Sequence, residues 1–318
     1  MFQRQLDYLS VVVPCFNEAE TILVSHARLT DALRSAARAG QMGRYEIVYV
    51  DDGSKDATLG ILKELFRKDE HVRVIELRRN FGFQGALSAG LLRASGDAVI
   101  TIDADLQDPP EKIPEMIACY CQGFDLVLGV RADRSSDTFF KRFTARMFYR
   151  LLKTMGADVV EDHGDFRLMA RALINDYNAL VERNRFLRAL VLRLDNHYAV
   201  VTYKREPRKL GYSKFNLAKM ASLSIDGIVS FTYFPLRLAS LLGLGLFLMS
   251  LVAIGWVIHC KAVGTVVPGW TSTVLPILLL NGVQMCMLGL IGEYIGRLYT
   301  EVKQRPLFSI RQDMKHPG

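Results

Sequence analysis

The sequence predicts an α/β domain on a parallel-rich central sheet, followed by juxtamembrane amphipathic helices and a C-terminal two-helix transmembrane hairpin. Three observations predict it. Short β-branched apolar runs alternate with helical patterns through most of the chain. Polar, acidic loops follow several of those runs. Two long stretches near the C-terminus carry no charge, and they explain a positive mean hydropathy in a chain of 318 residues that is 50% hydrophobic.

The strand signals come first. Leu9 to Val13, Tyr45 to Val50, Val72 to Leu77, Ala98 to Ile102 and Leu126 to Val130 read as buried strands. Their near-continuous apolar character fits a parallel sheet covered on both faces. Between them, Ile22 to Ala39, Thr58 to Phe66 and Ile113 to Cys121 show helical patterns. Ligands of open α/β sheets bind outside the carboxyl ends of the strands, so the residues just after each run are the ones to inspect.

Those residues are Pro14-Cys15-Phe16-Asn17-Glu18, Asp51-Asp52-Gly53-Ser54 and Asp103-Ala104-Asp105-Leu106-Gln107. Singly, each has a structural explanation: Asp52-Gly53 is a turn signal, and Asn17 or Ser54 could cap a helix. Asp108-Pro109-Pro110-Glu111 reads as a helix start with Asp108 as its cap. If extended geometry persists past the fourth strand, Asp103, Asp105 and Gln107 present three oxygen-bearing side chains on one face. Hard oxygen donors there suit Mg²⁺ or Mn²⁺ shared with a diphosphate. A lone Asp-x-Asp is more often a solvated turn; three acidic loops at one sheet edge are harder to explain structurally.

Asp137 to Met155 reads as a helix whose Arg142, Arg146 and Arg150 form a cationic stripe, either solvated or facing an anionic lipid. Phe215 to Phe234 sets Leu217, Ala221, Ile225 and Ile228 at helical spacing, which suits an interfacial helix. Leu238 to Ile258 and Ala262 to Gly292 lack charged residues. Each contains about 20 mostly apolar residues, enough to cross a hydrocarbon core of about 30 Å. Lys214, Lys219 and Arg237 precede the first span, and Arg297, Lys303, Arg305 and Arg311 follow the second, so both ends are expected in the cytoplasm. Leu9 to Val13 is too short for a signal peptide.

The five cysteines show neither metal spacing nor a disulfide framework. The net charge of +7 accompanies no nucleic-acid recognition motif. With its basic residues gathered near the spans, anionic membrane lipid is the better partner and nucleic acid is excluded.

The ordered set Val13-Pro14-x-x-Asn17-Glu18, Val50-Asp51-Asp52-Gly53-Ser54, Asp103-Ala104-Asp105-Leu106-Gln107-Asp108-Pro109-Pro110 and Gly164-Asp165-Phe166-Arg167-Leu168-Met169 resembles the family 2 glycosyltransferases of GT-A fold. Within them it is similar to the polyprenyl-phosphate glycosyltransferases related to dolichol-phosphate mannose synthase. Arg78-Arg79-Asn80-Phe81-Gly82 and Gly292-Glu293-Tyr294-Ile295-Gly296-Arg297 extend the resemblance over nearly the whole chain.

The resemblance implies roles and boundaries. Pro14, Asn17, Glu18, Asp51 and Asp52 would line the base and ribose of a nucleotide sugar. Asp103, Asp105 and Gln107 would hold Mg²⁺ or Mn²⁺ against its diphosphate, and Asp165 would lie near the reacting centre. Arg131, with Arg208 or Lys214, would hold the acceptor phosphate. Residues 1–212 would be the cytoplasmic GT-A catalytic domain and 213–234 the juxtamembrane helices. Residues 235–296 would hold two spans (about 236–259 and 271–295), and 297–318 a cytoplasmic tail. A multi-pass enzyme of the cell inner membrane, with both termini cytoplasmic and packed as a homo-oligomer, is the expected state.

Processive synthases of the superfamily carry Gln/Arg-x-x-Arg-Trp, whereas this chain has Arg185-Phe186-Leu187-Arg188-Ala189, which favours a single transfer onto a lipid carrier. The resemblance implies a hexose donor, with UDP-glucose ahead of GDP-mannose, and undecaprenyl or a similar polyprenyl phosphate as acceptor. A catalytically silent nucleotide-sugar-binding scaffold is the competing class, and its signature would be degraded motifs. Here they are intact.

Overall fold

The computed structural model describes residues 4–105, 107–132, 163–180, 187–204 and 270–316, with isolated positions between 245 and 263. The chain divides into two units, Met1–Phe215 with Pro306–Gly318, and Asn216–Arg305. The expected helices at Asp137 to Met155 and Phe215 to Phe234, and the loop carrying Arg208 and Lys214, lie outside the described residues. The first expected span is described only at isolated positions.

The first unit alternates as its periodicity predicts: β1 (Tyr8–Cys15), α1 (Ile22–Arg38), β2 (Arg44–Asp51), α2 (Thr58–Lys68), β3 (Val72–Leu77), α3 (Phe83–Arg93) and β4 (Ala98–Thr101). A 3₁₀ turn (Pro110–Lys112) leads into α4 (Ile113–Cys121) and β5 (Leu126–Arg131). Then come β6 (His163–Ala170), α5 (Arg171–Ala179), α6 (Leu187–Leu194), β7 (Tyr198–Tyr203) and, after the hairpin region, β8 (Ile310–Met314). The eight strands form one sheet in the order β7-β5-β6-β4-β1-β2-β3-β8.

Its centre, β4-β1-β2-β3, is parallel and buried, which is why those strands read as continuous apolar runs. The flanks are mixed. β6 runs antiparallel between β4 and β5, and β8 runs antiparallel along β3. Ile22, Ser25, Leu29, Leu33 and Ala36 give α1 one buried face against the sheet core. Each fully buried Leu or Ile there contributes about 1.5–3 kcal/mol relative to exposure. Opposite, α3 is small-residue-rich because it lies almost on the strands. A Cβ on Gly90 would stand 2.3 Å from Val12 Cγ1.

Residues 310–314 extend the sheet of the first unit. Ile310, Gln312, Asp313 and Met314 pair with Leu77, Glu76, Ile75 and Val74, so the chain rejoins the first unit after leaving it at residue 215. In the second unit, α7 (Trp270–Val302) is 33 residues long, about 50 Å at 1.5 Å per residue. Taken with their described side chains, no helix among the described residues is long and apolar enough to cross a membrane.

Candidate active site

β1 lies between β2 and β4, and the chain turns to opposite sides of β1 to reach them. The carboxyl ends of these three strands therefore flank a topological switch point, where open α/β sheets bind ligands. Pro14 to Glu18, Asp51 to Ser54 and Asp103 to Gln107 all leave that edge.

The first two loops are knotted together by short polar bonds. Asn17 sits at φ 54. Its N–H donates to Ser54 Oγ at 3.0 Å, and its Oδ1 accepts from Lys55 N at 2.8 Å. Glu18 N donates to Thr58 Oγ1 at 2.8 Å. Neither Asn17 nor Ser54 caps a helix; Thr21 is the N-cap of α1 and makes no side-chain cap bond. Ser54 N donates to Asp51 Oδ2 at 3.2 Å, whereas Asp51 Oδ1 is buried with no partner among the described residues. Burial raises the Asp51 carboxyl above its usual range, with the Ser54 bonds opposing.

Asp52 faces the other way. Its oxygens accept the N–H groups of Phe81 at 2.7 Å and Gly82 at 2.9 Å, at the head of α3. Burial raises its carboxyl too, against those bonds. Gly53 must be glycine: φ is +67°, and a Cβ would stand 2.7 Å from Arg79 C and Asn80 N.

The acidic loop departs from the expected geometry. β4 ends at Thr101, and Ala104 and Asp105 form a turn, so the alternation of Asp103, Asp105 and Gln107 does not continue. Instead Asp105 Oδ1 accepts the Gln107 N–H at 3.1 Å, a local bond that competes with extended backbone. Asp108 is not a helix cap either. It is buried, and its Oδ1 accepts from Tyr203 of β7 at 2.5 Å. Pro109 takes the cap position of the 3₁₀ turn, which has no side-chain cap bond.

β6 completes the cluster. Thr101 Oγ1 donates to the Asp165 carbonyl, tying β4 to β6. The Asp165 carboxylate is clasped by two guanidiniums. Arg167 Nη2 reaches Oδ1 at 2.7 Å, while Arg188 Nη2 reaches Oδ2 at 2.5 Å with its Nε 3.2 Å from both oxygens. Burial alone would raise Asp165, but Arg188 and Arg167 hold it below the usual carboxylate range. Arg167 is fully buried, and that burial pulls its guanidinium down to about 10 against the opposing Asp165 charge. Asp103 is pushed well above its usual value by burial and then by Asp165, Asp108 and Asp105. The charge at this edge is thus carboxylate-rich around Asp103, with Arg188 opposing, and Asp165 is clasped by Arg188 and Arg167.

Arg131 ends β5 beside β6. A Cβ on Gly164 would stand 3.3 Å from both Arg131 Nη2 and the Tyr203 hydroxyl, so glycine there leaves room for both. Arg131 Nε is buried with no partner among the described residues. Burial and Asp108 raise the Tyr203 hydroxyl, and the Arg131 cation opposes them. Tyr203→Phe keeps the edge contact with Phe166, whose ring centroid is 5.7 Å away. Losing a buried bond to a carboxylate is expected to cost about 1.5–3 kcal/mol, read as a lower midpoint in thermal unfolding. An unchanged midpoint would count against the bond.

The structure therefore gathers Asp103, Asp105, Asp108, Asp165 and Arg131 in one region, with Pro14, Asn17, Glu18, Asp51 and Asp52 along the adjoining loops. It adds Arg167, Arg188 and Tyr203, to which the sequence pattern assigned no role. Once β6 is known to be a buried strand, Arg167 carries a signal: a cation between Phe166 and Leu168 there needs a buried partner.

A sheet with acids at the carboxyl ends of three adjacent parallel strands, and an acid–arginine cluster on an inserted antiparallel strand, is the arrangement that the resemblance to glycosyltransferases of GT-A fold leads one to expect. The profile described as Glycosyl transferase family 2 matches residues 10–177, and the chain belongs to that family. A second profile, the GtrB C-terminal hairpin, matches residues 234–298. An uncharacterized glycosyltransferase of Bacillus subtilis (strain 168) is 41% identical over 97% of this chain and 94% of its own. One from a Synechocystis strain is 41% identical over 95% and 94%. The SfII prophage-derived bactoprenol glucosyl transferase of Shigella flexneri is 42% identical over 96% of this chain and 97% of its own.

Proposed function

We propose that this enzyme moves glucose from UDP-glucose to undecaprenyl phosphate or a similar polyprenyl phosphate, inverting the anomeric centre to give a β-linked lipid-phosphate sugar. The observation that carries this reading is near-full-length similarity, hairpin included, to relatives named bactoprenol glucosyl transferase. A hairpin crossing the membrane twice supplies access to a lipid acceptor. Its support is the charge-free runs Leu238 to Ile258 and Ala262 to Gly292, and a chain that leaves the first unit and returns to it. An even number of crossings keeps the domain and C-terminus together in the cytoplasm.

On the donor side, Pro14, Asn17, Glu18, Asp51 and Asp52 would line the nucleotide. Asp51 Oδ1, which has no partner among the described residues, is suited to accept an N–H or O–H from the base or ribose. The surplus of carboxylate oxygens around Asp103 fits a hard divalent cation, Mg²⁺ or Mn²⁺. Asp103 and Asp105, with Gln107, would hold it, and when bound it would act as a Lewis acid on the leaving diphosphate. Among the described residues, no three His, Cys, Asp or Glu side chains form a metal cage alone.

On the acceptor side, a phosphate monoester has a second pKa of about 6 and is already a charged nucleophile near neutrality. It needs cations more than a base. Arg131 at the end of β5 can grip phosphate through paired N–H donors, with Arg208 and Lys214 as further contributors. Asp165, held ionised and low by two arginines, is a poor proton acceptor at pH 7, so its role is to orient and balance charge.

The test is a donor screen with purified protein, undecaprenyl phosphate and Mn²⁺, with lipid-linked product identified by mass. UDP-glucose is expected to be the preferred donor. Preference for GDP-mannose would overturn the donor assignment. UDP-sugar binding without lipid product would instead favour the silent scaffold.

A further inference from the structure

β8 is fastened to β3 more heavily than strand pairing requires. Arg73 Nε and Nη2 each reach an Asp313 carboxylate oxygen at 2.8 Å, a two-pronged bond with Arg73 buried. Glu76 accepts from Lys63 at 3.1 Å and from Arg311 at 3.1 Å. Beyond the strand, His316 stacks on Phe66 with centroids 4.1 Å apart, and its Nε2 lies 2.8 Å from the Phe66 carbonyl.

The residues leading into β8 touch the segment that carries the donor-side loop. Arg78 N donates to the Ser309 carbonyl at 2.9 Å. The Leu307 carbonyl stands 3.4 Å from where a Gly85 Cβ would be. Between these contacts lie Phe81 and Gly82, whose N–H groups hold the Asp52 carboxylate, and Arg79-Asn80, whose backbone packs against Gly53. A path of contacts thus runs from Ser309 through residues 78–82 to the Asp51-Asp52-Gly53 turn, with the Asp52 carboxylate on the Phe81 and Gly82 amides as its last link.

We propose that the C-terminal strand is a positioning element for donor binding: docked on β3, it fixes residues 78–85 and so holds the Asp51-Asp52 turn in its nucleotide-binding shape. This rests on the reading that Asp51 and Asp52 line the donor pocket. Asp313 and Arg73 are then positioning residues acting through that segment, with no contact to substrate. Without the strand, Asp52 keeps its chemistry but loses the fixed amides that orient it, and ordering them falls to the nucleotide.

Full-length protein in detergent is titrated with UDP and Mn²⁺ by calorimetry, and hydrogen exchange is followed at Phe81 and Gly82. In a chain ending at Arg305, and in Asp313→Ala, UDP affinity is expected to fall about tenfold and the two amides to exchange faster. The charge-swapped pair Arg73→Asp with Asp313→Arg should restore both. Normal UDP affinity in the chain ending at Arg305 overturns the proposal. If that chain does not fold, Asp313→Ala and its swap decide by the same criteria. Asp52→Asn separates the two readings. If it binds UDP as tightly as wild type, the pocket assignment fails and the proposal with it. If it binds weakly while the chain ending at Arg305 binds normally, only the role of β8 fails.

Discussion

Asp105→Ala is expected to lower kcat/KM for glucosyl transfer by about 10²–10³-fold, the loss typical of removing one preorganised charge-stabilising group. The side chain is nearly buried at the carboxyl edge of the sheet, and one oxygen is already committed to the Gln107 N–H. Its carboxylate thus both shapes the loop and contributes to the negative potential around Asp103. Alanine removes both effects at the point where the leaving diphosphate would gather charge. Single-turnover assays with purified protein, beside thermal unfolding of the same preparation, check the expectation. Asp105→Asn isolates the charge, since an amide can still accept the Gln107 bond; its activity should fall nearly as far. Wild-type turnover in either variant would remove Asp105 from the donor side.

The central strands were legible because burial on both faces writes a continuous apolar run, which Val11 to Val13 and Val99 and Ile100 show directly. Their carboxyl-end loops were legible for the same reason: once strand direction is known, the edge follows. β6 and β8 were not. His163–Ala170 mixes Asp165 and Arg167 into a buried strand, and its apolar signal is broken by the ion pair that makes it useful. Ile310–Met314 is a polar edge strand whose partner lies far away in sequence. Local pattern carries no information about such a pairing. Asp108 misled for a subtler reason: acid-Pro-Pro-Glu is a sound helix-start signal, but the Tyr203 hydroxyl offers the carboxylate a buried bond. Arg188 contributes through geometry alone, with α6 presenting it to Asp165.

Asp165→Asn is expected to destabilise the protein by about 3–5 kcal/mol, the usual cost of breaking a buried ion pair from one side. Arg167 is the reason. It is fully buried; among the described residues its Nε and Nη1 have no partner, and its Nη2 bonds the Asp165 carboxylate and, at 3.0 Å, the Gly164 carbonyl. An amide can accept one of those bonds but cannot neutralise the cation. The pH dependence follows from the direction of the Asp165 shift. A carboxyl held below its unfolded value, about 3.9, contributes stability that is fully present above that value and is lost as pH falls through the folded value. Wild type should therefore lose stability on acidification below about pH 4. The Asn variant should be weaker at pH 7 and lack that part of the acid slope. Activity and stability can then be separated with Asp165→Asn combined with Arg167→Met. Removing Arg167 as well relieves the unpaired buried cation that Asp165→Asn leaves behind, so the double variant should regain part of its unfolding midpoint. Its transfer activity should stay low, because Arg188 would still face an uncharged neighbour beside Asp103. A double variant that regained activity along with stability would make Asp165 structural and leave charge balance at the reacting centre to other residues.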